Sequence, residues 1–477
     1  MTERSAEILA ALRALTARDA PTKGGRVLSY VYDTGRAEID RLAHDAAEVV
    51  QSVNGLDPTA FPSVAALERD LIAFARPLFH GSDDVVGSVT SGGTESCLLA
   101  VKTARDRWRA AGGEGRARLL APVTAHAAFQ KAAHLFDLAL DLVPVDPDTC
   151  AVIAESIAAR LGPDVAIAVV GAPSYPFASL DPIAEIAQHT ADRGISLHVD
   201  ACIGGFALPW WPGLPPWDFR LPGVTSLSAD LHKYGYAPKG ASILLQRGRD
   251  RHAAQYFATT RWPGYPVVNP TLLGSKPAGP LAAAWAIVRL LETEGYQALT
   301  DRARDATERL IAAVTSIPGL RVLGTPTGPL FAVAADDSHG PATRVDPHHL
   351  ADAVRRRGFV LQQQPGLAQS DGTRLPPTTH LTITPVTADA LDDLIAAVSA
   401  AAEEVRGRPA ADPSALLAGL TDADPAAALA LLGVHEGTLP AEQAMLTALI
   451  EALPPEMAEG MLVTLLQSLI DPNAASE

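Results

Sequence analysis

No apolar run in this 477-residue sequence is long enough to cross a bilayer, which takes about 20 consecutive apolar residues. The apolar run 164–170 is strand-sized and reads as a buried strand. Residues 1–23 mix charges without an apolar core, so no secretory signal is expected there. Cysteine is scarce. Cys97, Cys150 and Cys202 are too few and too scattered for a disulfide framework or a zinc site, so we expect no metal and a reducing, cytoplasmic setting. Positive charge is also in deficit. With 38 Lys and Arg against 54 Asp and Glu, the net charge of −16 excludes a general nucleic-acid binder, which needs a basic face. Any anionic ligand must then be held by locally placed cations and backbone amides. What remains is globular material, 48% hydrophobic and 19% charged, in a chain long enough for a large domain with satellites.

Short apolar runs alternate with helical patterns through the middle of the chain. Strands are expected at 119–123, 140–145, 165–171, 195–200, 224–228 and 242–245, with helices at 96–111, 155–161 and 182–193. This alternation predicts an α/β fold with a mostly parallel sheet covered on both faces. Further on, a long helix starts at 281–300. Helices at 301–314, 350–358 and 388–405 surround strands at 330–334 and 380–384, as in an α+β appendage. Residues 406–413 read as a linker, and 415–432 and 441–470 as amphipathic helices of a tail. The expected division is an N-terminal segment 1–60, a large domain 61–300, a small α+β domain 301–408 and a helical tail 409–477.

Four motifs carry chemistry. Lys233 follows a strand and precedes a Gly/Pro-rich turn, beside His232 and aromatic residues. Desolvation there lowers a lysine pKa, and the neutral amine can form a Schiff base; a solvated surface lysine is the alternative. Asp200 closes an apolar strand, where ligands bind in open α/β sheets, and can pair with a protonated ring nitrogen or simply cap a turn. The run Thr90-Ser91-Gly92-Gly93-Thr94-Glu95-Ser96 opens a helix. Its free amides form an anion cradle or an ordinary cap, and Thr94 and Ser96 add hydroxyls. His126, just after a strand, can cover an aromatic cofactor or serve as a core or capping histidine.

These stretches together resemble the fold-type I pyridoxal 5'-phosphate (PLP) enzymes of the group II decarboxylase superfamily. The matching runs are 88–106, 122–133, 181–183, 198–206, 222–240 and 274–279, within a similarity extending with gaps over about 25–400. The run 223–240 and Ser91-Gly92-Gly93-Thr94-Glu95-Ser96 point to the sphingosine-1-phosphate lyase branch.

The resemblance implies a seven-stranded-type sheet in a PLP-binding large domain, and a homodimer with shared active sites. It implies that Lys233 carries the cofactor, Asp200 pairs with the pyridine nitrogen, Ala201 packs near the ring and His126 stacks on it. Gly93, Thr94 and His232 would hold the cofactor phosphate, joined by Ser275 from the neighbouring subunit. Tyr32 and Lys239 would lie on the substrate side, with Asn54 and Asp57 near a substrate phosphate.

Two departures bear on the substrate. The lyases carry Asn-Pro-Leu-His where this chain has Asn54-Gly55-Leu56-Asp57, so a carboxylate replaces a histidine. The family's Gly-Ser-Arg-Pro is Gly274-Ser275-Lys276-Pro277 here, which leaves Lys239 and Lys276 as the available cations. The N-terminal membrane anchor of the eukaryotic lyases has no counterpart in the sequence. The implied reaction is retro-aldol cleavage of a phosphorylated sphingoid base to a fatty aldehyde and phosphoethanolamine, with Tyr32 or Lys239 as the base. Decarboxylation of an amino acid is the alternative.

Overall fold

In the computed structural model, which describes residues 2–419, 440 and 442–472, the apolar runs form a seven-stranded sheet. The strands are β1 (Val85–Thr90), β2 (Arg118–Pro122), β3 (Ala139–Val143), β4 (Val165–Gly171), β5 (Ser196–Asp200), β6 (Val224–Ala229) and β7 (Ser242–Arg247). Their order is β1-β7-β6-β5-β4-β2-β3, with β7 antiparallel to its neighbours and the other pairs parallel.

Every residue of β4 is buried, because both of its faces are covered. Ile167 and Val169 pack into one core with Cys97, Leu98 and Phe129, whereas Ala168 and Val170 pack into another with Leu120, Ile186 and Leu245. The period-two alternation of a strand thus feeds two apolar layers at once, which is why the sequence shows an unbroken apolar run. Removing such a fully packed side chain, as in Ile167→Ala, costs about 2–5 kcal/mol.

The helices before and between these strands are α1 (Glu3–Thr16), α2 (Ala37–Val49), α3 (Pro62–Leu78), α4 (Gly93–Ala110), α5 (Ala128–Phe136), α6 (Ala154–Ala158) and α7 (Ile183–Ala191). After β7 come α8 (Arg249–Ala253) and an exposed hairpin of β8 (Phe257–Thr259) and β9 (Val267–Asn269). Next is α9 (Gly279–Thr315), 37 residues long. The sequence suggests two helices meeting near residue 300. The actual irregularity is at Glu292 (φ 47°), and helix continues through Thr300. The first half of α9 packs on the large sheet and the second half on the core of a smaller sheet, so one element fastens both layers.

That smaller antiparallel sheet has the order β10-β11-β15-β12, from β10 (Leu320–Val322), β11 (Leu330–Ala335), β12 (Gln362–Gln364) and β15 (Thr378–Thr382). A short hairpin of β13 (Leu367–Ala368) and β14 (Arg374–Leu375) lies between the last two in sequence. Helices α10 (Pro347–Arg356) and α11 (Leu391–Val405) cover the sheet. The helix expected from residue 388 begins instead as a 3-10 turn, Pro385–Ala390, stabilised by a Thr384–Thr387 capping box.

Of the helical pattern expected at 415–432, only α12 (Ser414–Gly419) is described; the rest lies outside the described residues. The pattern at 441–470 is two helices, α13 (Ala444–Ala452) and α14 (Pro455–Ile470), parted at Pro454. Asp352 of α10 accepts from the backbone amides of Gln443 and Ala444, which docks the tail on the small sheet layer.

Candidate active site

Strands β1, β2, β4, β5 and β6 run in one direction, so their carboxyl ends share one rim, the place where open α/β sheets bind ligands. A cavity of about 350 Å³ opens there, lined by Gly93, Thr94, His126, Asp200, His232 and Lys233 among others. Asp200 is the last residue of β5. Its Oδ1 accepts the Cys202 amide at 3.0 Å, which fixes the carboxylate, and the residue lines the cavity. Ala201 is fully buried, its amide donating to Ser228 O.

Beyond β6 the chain turns tightly, and the turn is organised by Asp230, which is buried. Lys233 Nζ sits 3.0 Å from Asp230 Oδ2, and His232 Nε2 lies 3.4 Å from the same oxygen. His232 Nδ1 accepts from the amides of Gly240 and Ala241, which places the ring's proton on Nε2, facing Asp230. Burial works against the charge on Asp230, but Lys233 and His232 outweigh it and hold the carboxyl far below its ordinary range. The same contact acts on the lysine. Burial acts to depress Lys233, but Asp230 foremost, with Tyr32, Cys202 and Asp200, together raise it well above a normal lysine. The expectation of a lowered Lys233 pKa is therefore overturned, because the surrounding negative groups jointly outweigh desolvation.

The lowered lysine is Lys239, brought down to about 8 by burial and by the neighbouring charge of Lys233. Its Nζ donates to His232 O at 3.2 Å and lies 4.6 Å from the centre of the Tyr32 ring. Tyr32 packs edge-on against Tyr234 at 5.2 Å, and Tyr234 is anchored by its hydroxyl to Pro329 O and Ile383 O. Burial pushes the Tyr32 hydroxyl up to about 12, with Lys233 opposing.

The glycine run forms the start of α4. A Cβ on Gly93 would come within 2.6 Å of Asp230 Oδ2, so only glycine lets this loop lie against the lysine turn. Glu95 fastens the loop from outside, accepting from the Ser91 amide at 2.6 Å and the Leu272 amide at 2.5 Å. His126 precedes α5 with an exposed ring whose Nδ1 accepts the Ala128 amide at 3.1 Å.

Asn54, Asp57 and Ser275 lie in a separate loop cluster. Asn54 pairs with Pro277, and the Gly55 amide donates to Lys276 O. Asp57 is exposed, and its Oδ1 accepts from the amide and hydroxyl of Thr59. Ser275 is exposed, but Lys276 is buried, 3.0 Å from Glu68 and bonded to Val89 O. Lys276 is thus already neutralised inside the fold, which corrects its assignment as an available cation.

Several lining residues carried no sequence signal. The buried Thr124 hydroxyl lines a smaller pocket that shares His126, Asp200, Cys202 and Lys233 with the cavity, and has no hydrogen-bond partner among the described residues. Tyr175 also lines it, its hydroxyl donating to Gln362 at 2.5 Å and its ring 4.4 Å from His380. Asp230 stands three residues before Lys233, and that spacing across a strand-end turn was the available clue.

The pocket suits the cofactor that the resemblance implies. Lys233 offers an amine, Asp200 a carboxylate for a ring nitrogen, and the Gly92–Gly93–Thr94 amides with His232 a cradle for a phosphate. The unpaired Thr124 hydroxyl is a further polar atom awaiting a ligand.

The conserved domain of pyridoxal-dependent decarboxylases matches residues 34–317. The chain is 36% identical over 307 residues to a sphingosine-1-phosphate lyase of Dictyostelium discoideum, covering 64% of this chain and 58% of the relative. It is 34% identical to one of Oryza sativa subsp. japonica, covering 75% and 67%. It therefore spans roughly three fifths to two thirds of these relatives' length. A solved sphingosine-1-phosphate lyase of Burkholderia pseudomallei superimposes with a TM-score of 0.78 at 33% identity, over 89% of this chain and 96% of that one. A glutamate decarboxylase of Lactobacillus brevis, at 19% identity, superimposes with a TM-score of 0.74 over 86% of this chain and 94% of that one, which shows the shared fold. No helix among the described residues is long and apolar enough to cross a membrane.

Proposed function

The chain belongs to the pyridoxal-dependent decarboxylase family, and on that premise we propose that it is a PLP-dependent carbon–carbon lyase that cleaves a phosphorylated sphingoid base to a fatty aldehyde and phosphoethanolamine. One observation carries the choice of reaction. A second lysine, Lys239, is lowered to about 8 beside Tyr32, its Nζ donating to the backbone of His232. Decarboxylation needs no base to break its bond, whereas retro-aldol cleavage must remove a hydroxyl proton.

PLP, bound on Lys233, supplies an electron sink for the pair released when a bond breaks at the amine-bearing carbon. Asp200, which lines the cavity, would hold the proton on the ring nitrogen. The α4 amides, Thr94 and His232 orient the phosphate. Lys239 Nζ, partly neutral near pH 8, takes the proton from the substrate β-hydroxyl as the aldehyde carbonyl forms. Tyr32, whose hydroxyl stays protonated to about pH 12, acts as a hydrogen-bond donor and not as the base.

The loop of Asn54, Asp57 and Ser275 is assigned to the neighbouring subunit's site in a homodimer, where Ser275 meets the cofactor phosphate and Asn54 the substrate's. The three free thiols suit a reducing cytoplasm.

Product analysis tests the reading. Purified protein is given a phosphorylated sphingoid base, its dephosphorylated analogue and a set of amino acids. Aldehyde and phosphoethanolamine from the first are expected; carbon dioxide from an amino acid, with the sphingoid phosphate untouched, reverses it in favour of a decarboxylase. Mixing Lys233→Ala with Ser275→Asp protein tests the shared site. Exchanged dimers should regain part of the activity, and an exchanged but inactive mixture sinks it.

A further inference from the structure

Two of the three cysteines, remote from each other in sequence, meet at the rim. Cys97 lies in the first turns of α4 and Cys202 just after β5, and both are buried, at 1% and 7% exposure. Cys202 Sγ donates to Ser228 Oγ at 3.2 Å. The two sulfurs and an oxygen of Asp200 all lie within 4.8 Å of one another, and the three residues line the same cavity as Lys233. A glycine borders the sulfurs: a Cβ on Gly93 would stand 2.9 Å from Cys202 Sγ, so the space in front of the thiols is open only because that side chain is missing.

From this geometry we infer that Cys97, Cys202 and Asp200 form a binding site for a soft divalent cation, zinc or cadmium, whose occupation excludes the cofactor. Two thiolates and one carboxylate are a ligand set for such ions, and three protein ligands leave a fourth position open toward the cavity. A metal–sulfur bond is about 2.3 Å, so small side-chain rotations bring the three atoms onto one centre. Binding is a balanced exchange. Two S–H bonds and the metal–water bonds they replace break, two metal–sulfur bonds and one metal–oxygen bond to Asp200 form, two protons and the displaced waters pass to solvent, and no oxidation state changes. Exclusion of PLP rests on the reading of Asp200 given above, because one carboxylate cannot serve both ligands; the metal site itself does not.

The test uses the full chain, freed of cofactor by an amine reagent and titrated with cadmium chloride. The ultraviolet sulfur-to-cadmium charge-transfer band reports binding. One cadmium per chain is expected, displaced by zinc. Cys97→Ser and Cys202→Ser should each weaken binding by about a hundredfold or more. Cys150→Ser, which alters the buried thiol that bonds Pro147 O, should change nothing. A second comparison needs no substitution. Protein whose cofactor has been fixed to Lys233 by borohydride should bind cadmium at least about tenfold more weakly than cofactor-free protein. A band that persists in the Cys97→Ser/Cys202→Ser double variant, or equal affinity with and without fixed cofactor, overturns the proposal. Should borohydride fix nothing on Lys233, the cofactor reading fails, while the cysteine series still decides whether the metal site exists.

Discussion

The strand-end rim and the loop cluster of Asn54, Asp57 and Ser275 handle charge in opposite ways. At the rim, Lys233 Nζ and His232 Nε2 lie 3.0 and 3.4 Å from the same Asp230 oxygen, and the Asp230 and Lys233 charges shift each other. In the loop cluster, Asp57 and Ser275 face solvent, and the one buried cation, Lys276, is spent on Glu68. The charged groups of the rim come from one chain and touch one another, so their electrostatics follow from local geometry. The loops carry polar groups outward, and their use depends on what lies opposite.

Four substitutions sharpen or break this contrast. The largest effect is expected at Lys233. Lys233→Ala should lower turnover by about 10⁵ or more, and borohydride with PLP should label Lys233 in the unaltered chain. A label on Lys239 would reverse the roles of the two lysines.

Asp230→Asn comes next. It leaves a buried ammonium without its carboxylate, and should cost about 3–5 kcal/mol in denaturant unfolding. It should also lower the Lys233 pKa, since the largest influence opposing burial is then gone, seen as faster modification by amine-reactive reagents at neutral pH. Unchanged stability and reactivity would deny Asp230 control of the rim.

Lys239→Arg follows. A base works when deprotonated, so kcat/KM for the unaltered protein should rise with pH through about 8 and then level. In Lys239→Arg the limb should vanish and the rate fall by about 10²–10³. A limb retained in the variant would assign it to another group.

The smallest effect belongs to the loops. The Asp57 carboxylate, held below its usual range by the Thr59 hydroxyl and amide, serves its own turn. Asp57→His should leave or improve kcat/KM for the phosphorylated substrate and leave the unfolding midpoint nearly unchanged. Preference of the unaltered protein for the unphosphorylated analogue, lost in Asp57→His, would instead make Asp57 a partner for a substrate amine or hydroxyl.

The sheet was legible where strands are buried on both faces. The run 165–171 is apolar throughout, and β4 occupies those residues. β1 escaped notice because Gly87 and Ser88 break its apolar run, yet its pairing with β7 needs no side chain to be apolar. The lysine turn was legible as a place, since the dense run 226–240 marks a strand end followed by a turn. Its electrostatics were not, because they depend on which of several acids comes within 3.0 Å of Lys233.

By itself, the sequence determined the α/β alternation, the strand-end positions of Asp200 and Lys233, and the glycine-rich start of α4. Each is a local property of apolar period, turn residues and helix capping. Only the tertiary structure decided that Lys239 is the depressed lysine, that Lys276 is spent on Glu68, and that Cys97 meets Cys202. Distances between residues remote in sequence are set by how the layers pack, and Coulomb interaction, desolvation and ligation all depend on those distances.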